Sequence, residues 1–126
     1  MNRKIEDINE FTHSIIGFCF EIHNKLGPGF LERVYENALK IKLQQNNIRF
    51  ESQKEFNVVF ENNIIGKFRC DLLVEDSVII ELKSVMGFMP KIFQSQLISY
   101  LKASRIKTGL LINFGNTSCE VKRLSV

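Results

Sequence analysis

The sequence predicts an α/β domain, α+β-like in the order of its elements, with one mixed β-sheet flanked by helices. Three observations carry this. Apolar residues recur at helical spacing from Ile5 to Leu43. Three runs rich in Val, Ile and Phe follow, joined by short turn-forming stretches, which is the pattern of an antiparallel meander. A helical stretch then separates the third run from a nearly all-apolar fourth, the usual connection between parallel neighbours.

Each element has its own signal. Ile5, Ile8, Phe11, Ile15, Ile16, Cys19, Ile22 and Leu26 share one side of a helix spanning residues 4 to about 25. Gly27-Pro28-Gly29 ends it and turns the chain. A second helix points Leu31, Val34, Tyr35, Ala38, Leu39 and Leu43 inward and closes at Asn46-Asn47. Strands are expected over 48–60 and 64–74 with Glu61-Asn62-Asn63 between them, and a third over 79–85 after Glu75-Asp76-Ser77. Gly87-Phe88-Met89-Pro90 breaks that strand, and a third helix runs over 91–104. Residues 108–114 read as a strand covered on both faces, and 119–126 as a last one. No repeat, low-complexity tract or linker divides the chain, so one domain over 1–126 is expected.

Composition sets limits. With 44% hydrophobic and 25% charged residues, the chain has the apolar content of a folded protein rather than a disordered one. A net charge of +3 is compatible with a nucleic-acid partner without identifying one. Cys19, Cys70 and Cys119 are odd in number and far apart, with no C-x-x-C pair, which argues against a zinc site or a disulfide framework. The first residues lead into a polar helix rather than a signal-peptide core, and Gly17 interrupts the apolar run from Ile15 to Phe20. A cytoplasmic protein without a membrane partner is the expectation.

The charged residues inside the central strands point to a site. Arg69-Cys70-Asp71-Leu72-Leu73-Val74 and Val78-Ile79-Ile80-Glu81-Leu82-Lys83 read as buried strands, yet each carries charge that burial penalises. With 75–77 as the loop, Asp71 lies opposite Glu81, at a Cβ separation of about 5 Å. Alternation puts Lys83 on the face of Glu81 and turns Cys70 to the opposite face as a packed core residue. Two carboxylates and a lysine on one face are the parts of a divalent-metal phosphodiesterase site.

Four separated motifs complete the pattern: G-x-x-E-x-x-Y at Gly29, Glu32 and Tyr35; Asp71; E-x-K at Glu81 and Lys83; and Q-x-x-x-Y at Gln96 and Tyr100. In this order they resemble the PD-(D/E)XK nuclease superfamily, and within it the small bacterial GxxExxY proteins. The Q-x-x-x-Y element is similar to that of RecB-type nucleases. The resemblance implies a restriction-endonuclease-like core and a metal-dependent hydrolase of nucleic-acid phosphodiester bonds. It implies Mg²⁺ or Mn²⁺ as cofactor, held by Asp71 and Glu81 with Glu32 as a further ligand, direct or through water. Lys83 would orient the attacking water or stabilise transition-state charge, and Gln96 and Tyr100 would orient the site or contact the substrate backbone. The implied partner is nucleic acid, DNA ahead of RNA, with a homodimer or a larger complex as the assembly. Cys70 stands where other members have proline, and Ser84 follows the lysine where a small apolar residue is expected.

Plainer readings compete. Asp71, Glu81 and Lys83 can form an ion-pair network that only supports the fold. Glu32 suits the first turn of a helix on dipole grounds alone, with Glu36 as a surface companion. Tyr35 reads as a core residue with a hydrogen-bonded hydroxyl, and His23 as a polar group near a helix end. Lys91, Lys102, Arg105 and Lys107 fit a solvated basic face. The eleven phenylalanines form no stacking-platform pattern. The alternative function is a non-catalytic nucleic-acid-binding or protein-interaction module on the same scaffold.

Overall fold

The computed structural model describes residues 7–126. The expected start of the first helix therefore lies partly outside the described residues. Within them, α1 covers Ile8–Leu26, beginning later than the apolar period suggests because Asp7 caps it, accepting from the Asn9 and Glu10 amides at 2.9 and 3.2 Å. The other elements are α2 (Glu32–Gln45), β1 (Phe50–Phe60), β2 (Asn63–Val74), β3 (Val78–Lys83), α3 (Ile92–Ser104), β4 (Thr108–Asn113) and β5 (Glu120–Ser125).

The five strands form one sheet in chain order. β1–β2, β2–β3 and β4–β5 are antiparallel, whereas α3 crosses over to make β3 and β4 parallel. This is the mixed α/β arrangement expected. Every residue of β4 is buried, including Thr108 and Asn113 at its ends, in keeping with its nearly all-apolar run.

Two apolar clusters sandwich the sheet. Ile15, Cys19, Tyr35, Leu39 and Leu43 of α1 and α2 pack on Leu72, Val78, Ile80, Leu82, Leu110 and Ile112. Leu97 and Leu101 of α3 cover Leu73, Ile79 and Leu111 on the other face. Gly109 lets α3 approach: a Cβ there would lie 3.0 Å from Leu97 Cδ1. Tyr35 is a core residue, stacked on Phe114 at 4.3 Å, and its hydroxyl donates to the Gly27 carbonyl at 2.6 Å. His23 is buried near the end of α1, where its Nε2–H donates to the Asn116 carbonyl at 2.8 Å. Among the described residues no helix is long and apolar enough to cross a membrane.

Candidate active site

β2 and β3 pair regularly from Val74–Val78 to Leu72–Ile80, and there the backbone ladder stops. Side chains take over from it. Asp71 Oδ2 accepts from the Leu82 amide of β3, and Glu81 Oε2 accepts from the Asp71 amide of β2, both at 2.7 Å. Each carboxylate thus satisfies a strand amide that the splayed ladder would otherwise leave unpaired. One oxygen of each is committed in this way. The second oxygen of Glu81 accepts no hydrogen bond from any described residue, and that of Asp71 meets only Gln53 Nε2, at 3.4 Å.

The splay has a local cause in β1. Gln53 has φ +52°, out of the extended region, between Ser52, which pairs with Leu72, and Lys54, which pairs with Cys70. Alternation is broken opposite this kink. Cys70 is a buried core residue as expected, packed with Leu73, Ile79, Leu97, Leu101 and Leu111 beneath α3, whereas Leu72 joins the cluster under α1 and α2. The kink also brings Gln53 Nε2 to Glu36 Oε1 at 2.9 Å, linking α2 to Asp71. Glu36 is correspondingly buried rather than a surface companion of Glu32, and it pairs with Lys40 at 3.2 Å. Its helical spacing to Leu39 and Leu43 was a usable signal; its charge hid it.

Lys83 takes an unexpected partner. Its Nζ lies 4.3 Å from the centroid of the Phe93 ring on α3, and it makes no ion pair among the described residues. A ring face attracts an ammonium without competing for carboxylate oxygens. We expect Phe93→Leu to reduce any Lys83-dependent activity about three- to tenfold with the fold retained, and Phe93→Tyr, which keeps the ring face, to restore it. Equal activity in Phe93→Leu and wild type would remove Phe93 from the site.

Glu32 opens α2, following Gly29, whose φ of +108° disfavours other residues. Partial desolvation raises its carboxyl pKa, with Lys83 opposing and Asp71 and Glu36 reinforcing the shift, so it lies within the field of the same cluster. Tyr100 stacks on Phe68 at 4.1 Å, and Phe68 on Phe56 at 5.2 Å. Burial, then the charges of Glu81 and Asp71, push the Tyr100 phenol up, while a hydrogen bond with the Gln96 side chain acts the other way. Asp71 and Glu81 therefore meet directly; Glu32, Lys83 and Tyr100 lie within reach of their charge, and Gln96, exposed on α3, hydrogen-bonds Tyr100.

Electrostatically the pair is short of positive charge. Glu81 is only 6% exposed. Burial, then the Asp71 charge, push its carboxyl up to about 8. Asp71 is raised as well, mainly by burial. Two desolvated carboxylates, each with an oxygen to spare, suit a hard divalent cation that retains several waters. Among the described residues, no three His, Cys, Asp or Glu side chains converge into a ready-made metal cage. A separate hollow of about 560 Å³ lies at the C-terminal end of β2, lined by Arg49, Phe50, Leu73 and Glu75 among others.

A splayed antiparallel pair with acidic side chains at the fork, beside a parallel crossover, defines a nuclease-like scaffold. The sequence profile of the PD-(D/E)XK nuclease superfamily matches residues 9–124, and the chain belongs to that superfamily. Among solved structures it resembles the crystal structure of SSO0001, with a TM-score of 0.59 and 19% identity over 74% of this chain. The chain spans about half of that protein, 48% of its length, and the likeness is one of fold. A search of curated proteins finds no match.

Proposed function

We propose that this chain is a metal-dependent nuclease working as one domain over residues 1–126, with DNA ahead of RNA as substrate. The observation that carries the reading is the fork at Asp71 and Glu81, whose committed oxygens fix both carboxylates against the opposite strand. The G-x-x-E-x-x-Y motif supports placing it with the bacterial GxxExxY proteins of the cytoplasm.

Asp71 and Glu81 would hold Mg²⁺ or Mn²⁺, with Glu32 contributing through water. When bound, the ion would supply Lewis acidity at the phosphate and a more acidic water. Lys83, steadied over Phe93, offers an ammonium to the negative charge that builds on the phosphate oxygens. Glu36 and Gln53 keep Asp71 from rotating away. Tyr100, fixed by its stack on Phe68, and Gln96 would orient the site or meet the substrate backbone.

Calorimetric titration with Mn²⁺ tests the site. Asp71→Asn is expected to weaken binding at least about 100-fold, beyond the range typical of outer-shell losses, with its folded circular dichroism spectrum retained. Unchanged affinity would reduce the cluster to a structural network and favour the non-catalytic module.

A further inference from the structure

Two loops meet beside the fork. The Ser84 hydroxyl, one residue beyond Lys83, donates to the Phe30 carbonyl at 2.7 Å, joining the β3–α3 segment to the α1–α2 loop. A cleft of about 330 Å³ lies there, lined by Phe30, Leu31, Glu32, Arg33 and Ser84. The two segments joined there expose large apolar side chains: Leu31 of the α1–α2 loop is 82% exposed, Met86 and Phe88 of the β3–α3 segment 90% and 100%, and Ile92 at the start of α3 67%.

These side chains are not on slack chain. Asn113 reads the Val85 backbone on both sides, accepting from its amide at 2.9 Å and donating to its carbonyl at 3.0 Å. Asn116 does the same to Gly87, with both bonds at 2.8 Å. Two carboxamides thus hold residues 85 and 87 as a β-partner would, and leave Met86 and Phe88 turned to solvent. Large apolar side chains kept in water by a built clamp mark an interaction surface. Cations accompany them. Arg33 borders the cleft and Lys91 precedes Ile92; both are exposed and make no ion pair among the described residues.

We infer that this rim binds unpaired nucleobases, so that the substrate is a nucleic-acid strand single-stranded at the cleaved bond. This rests on the nuclease reading and sharpens it. Arg33 and Lys91 match a phosphate backbone, and Phe88, Met86, Leu31 and Ile92 offer faces and wedges to bases. A paired duplex keeps its bases stacked inside and presents mostly phosphate and sugar to such a rim. A strand with free bases presents both chemistries together, immediately beside Lys83. The scattered phenylalanines suggested no stacking surface; Phe88 supplies one because the clamp, invisible in local pattern, exposes it.

The test is fluorescence anisotropy with single-stranded and blunt duplex oligonucleotides of equal length, in Ca²⁺ in place of Mg²⁺, for wild type, Phe88→Ala, Met86→Ala and Arg33→Ala. Wild type is expected to bind the single strand at least about fivefold more tightly. Phe88→Ala and Met86→Ala lose that preference without losing duplex binding, whereas Arg33→Ala weakens both. Equal affinity for the two forms, or a preference unchanged in Phe88→Ala and Met86→Ala, overturns the inference. Cleavage of both forms at equal rates in Mn²⁺ would then leave the nuclease reading standing alone. Binding to no oligonucleotide overturns the inference and counts against the nuclease. Binding instead to vesicles of equal phosphatidylcholine and phosphatidylserine would reassign the rim to a lipid surface.

Discussion

Glu81→Gln is expected to stabilise the metal-free protein and to abolish the metal-dependent cleavage proposed for it. Burial, then the Asp71 charge, push the folded Glu81 carboxyl up to about 8, from an ordinary value of 4.5. The folded state therefore holds a proton that the unfolded state releases, and stability falls as pH rises between those two values. Asp71 and Glu32 are also raised and act with the same sign. Glutamine does not titrate, and its carbonyl oxygen can still accept from the Asp71 amide. The gain in Tm over wild type should be small at pH 5 and grow to roughly 5–10 °C at pH 9, on the order of 2 kcal/mol. Mn²⁺ should reverse the trend in wild type: below pH 8 it must displace the Glu81 proton, so the Tm increase it produces rises with pH. In Glu81→Gln that increase should vanish. Thermal melts with and without Mn²⁺ across this range check both arms. A destabilised Glu81→Gln at pH 9 would show that the carboxylate is a net structural asset.

Among glycine-to-alanine changes, Gly115→Ala should be the most destabilising. A Cβ there would lie 2.2 Å from the Val85 carbonyl oxygen and 2.4 Å from its carbonyl carbon and its nitrogen. These are backbone atoms, and Asn113 holds both sides of Val85 while also accepting from the Gly115 amide at 3.0 Å. The segment must move as a unit, breaking the clamp that follows Lys83. A loss of about 2–4 kcal/mol is expected, with any activity falling alongside. Gly109→Ala makes a contrast: its new methyl meets the flexible end of Leu97 at 3.0 Å and should cost about 1 kcal/mol. Chemical denaturation of the two variants measures the difference. Equal midpoints would mean that the segment yields freely.

Periodicity and turn chemistry sufficed for the element order, because each helix and strand here advertises its buried face locally. The parallel β3–β4 pair followed from the intervening helix. Asp71 and Glu81 stood out because charge inside an apolar strand needs an explanation. What stayed hidden depends on contacts between distant segments. Gln53 carries no local sign of a positive φ, yet opposite it the alternation breaks, with Leu72 and Cys70 packing under different helices. Glu36 looked solvated because charge usually is; Gln53, Ser52 and Lys40 make its burial tolerable. The pairing of Lys83 with Phe93 and the clamps of Asn113 and Asn116 join residues on different elements, and no spacing rule encodes them.

Cleavage of end-labelled oligonucleotides in Mn²⁺ by wild type and Lys83→Ala tests the central claim most directly. A metal-dependent nuclease cuts the strand, stops when the metal is chelated, and loses at least about 100-fold in rate in Lys83→Ala with Mn²⁺ still bound. Cutting that persists equally in Lys83→Ala, or that survives chelation, would contradict a site built on Asp71, Glu81 and Lys83.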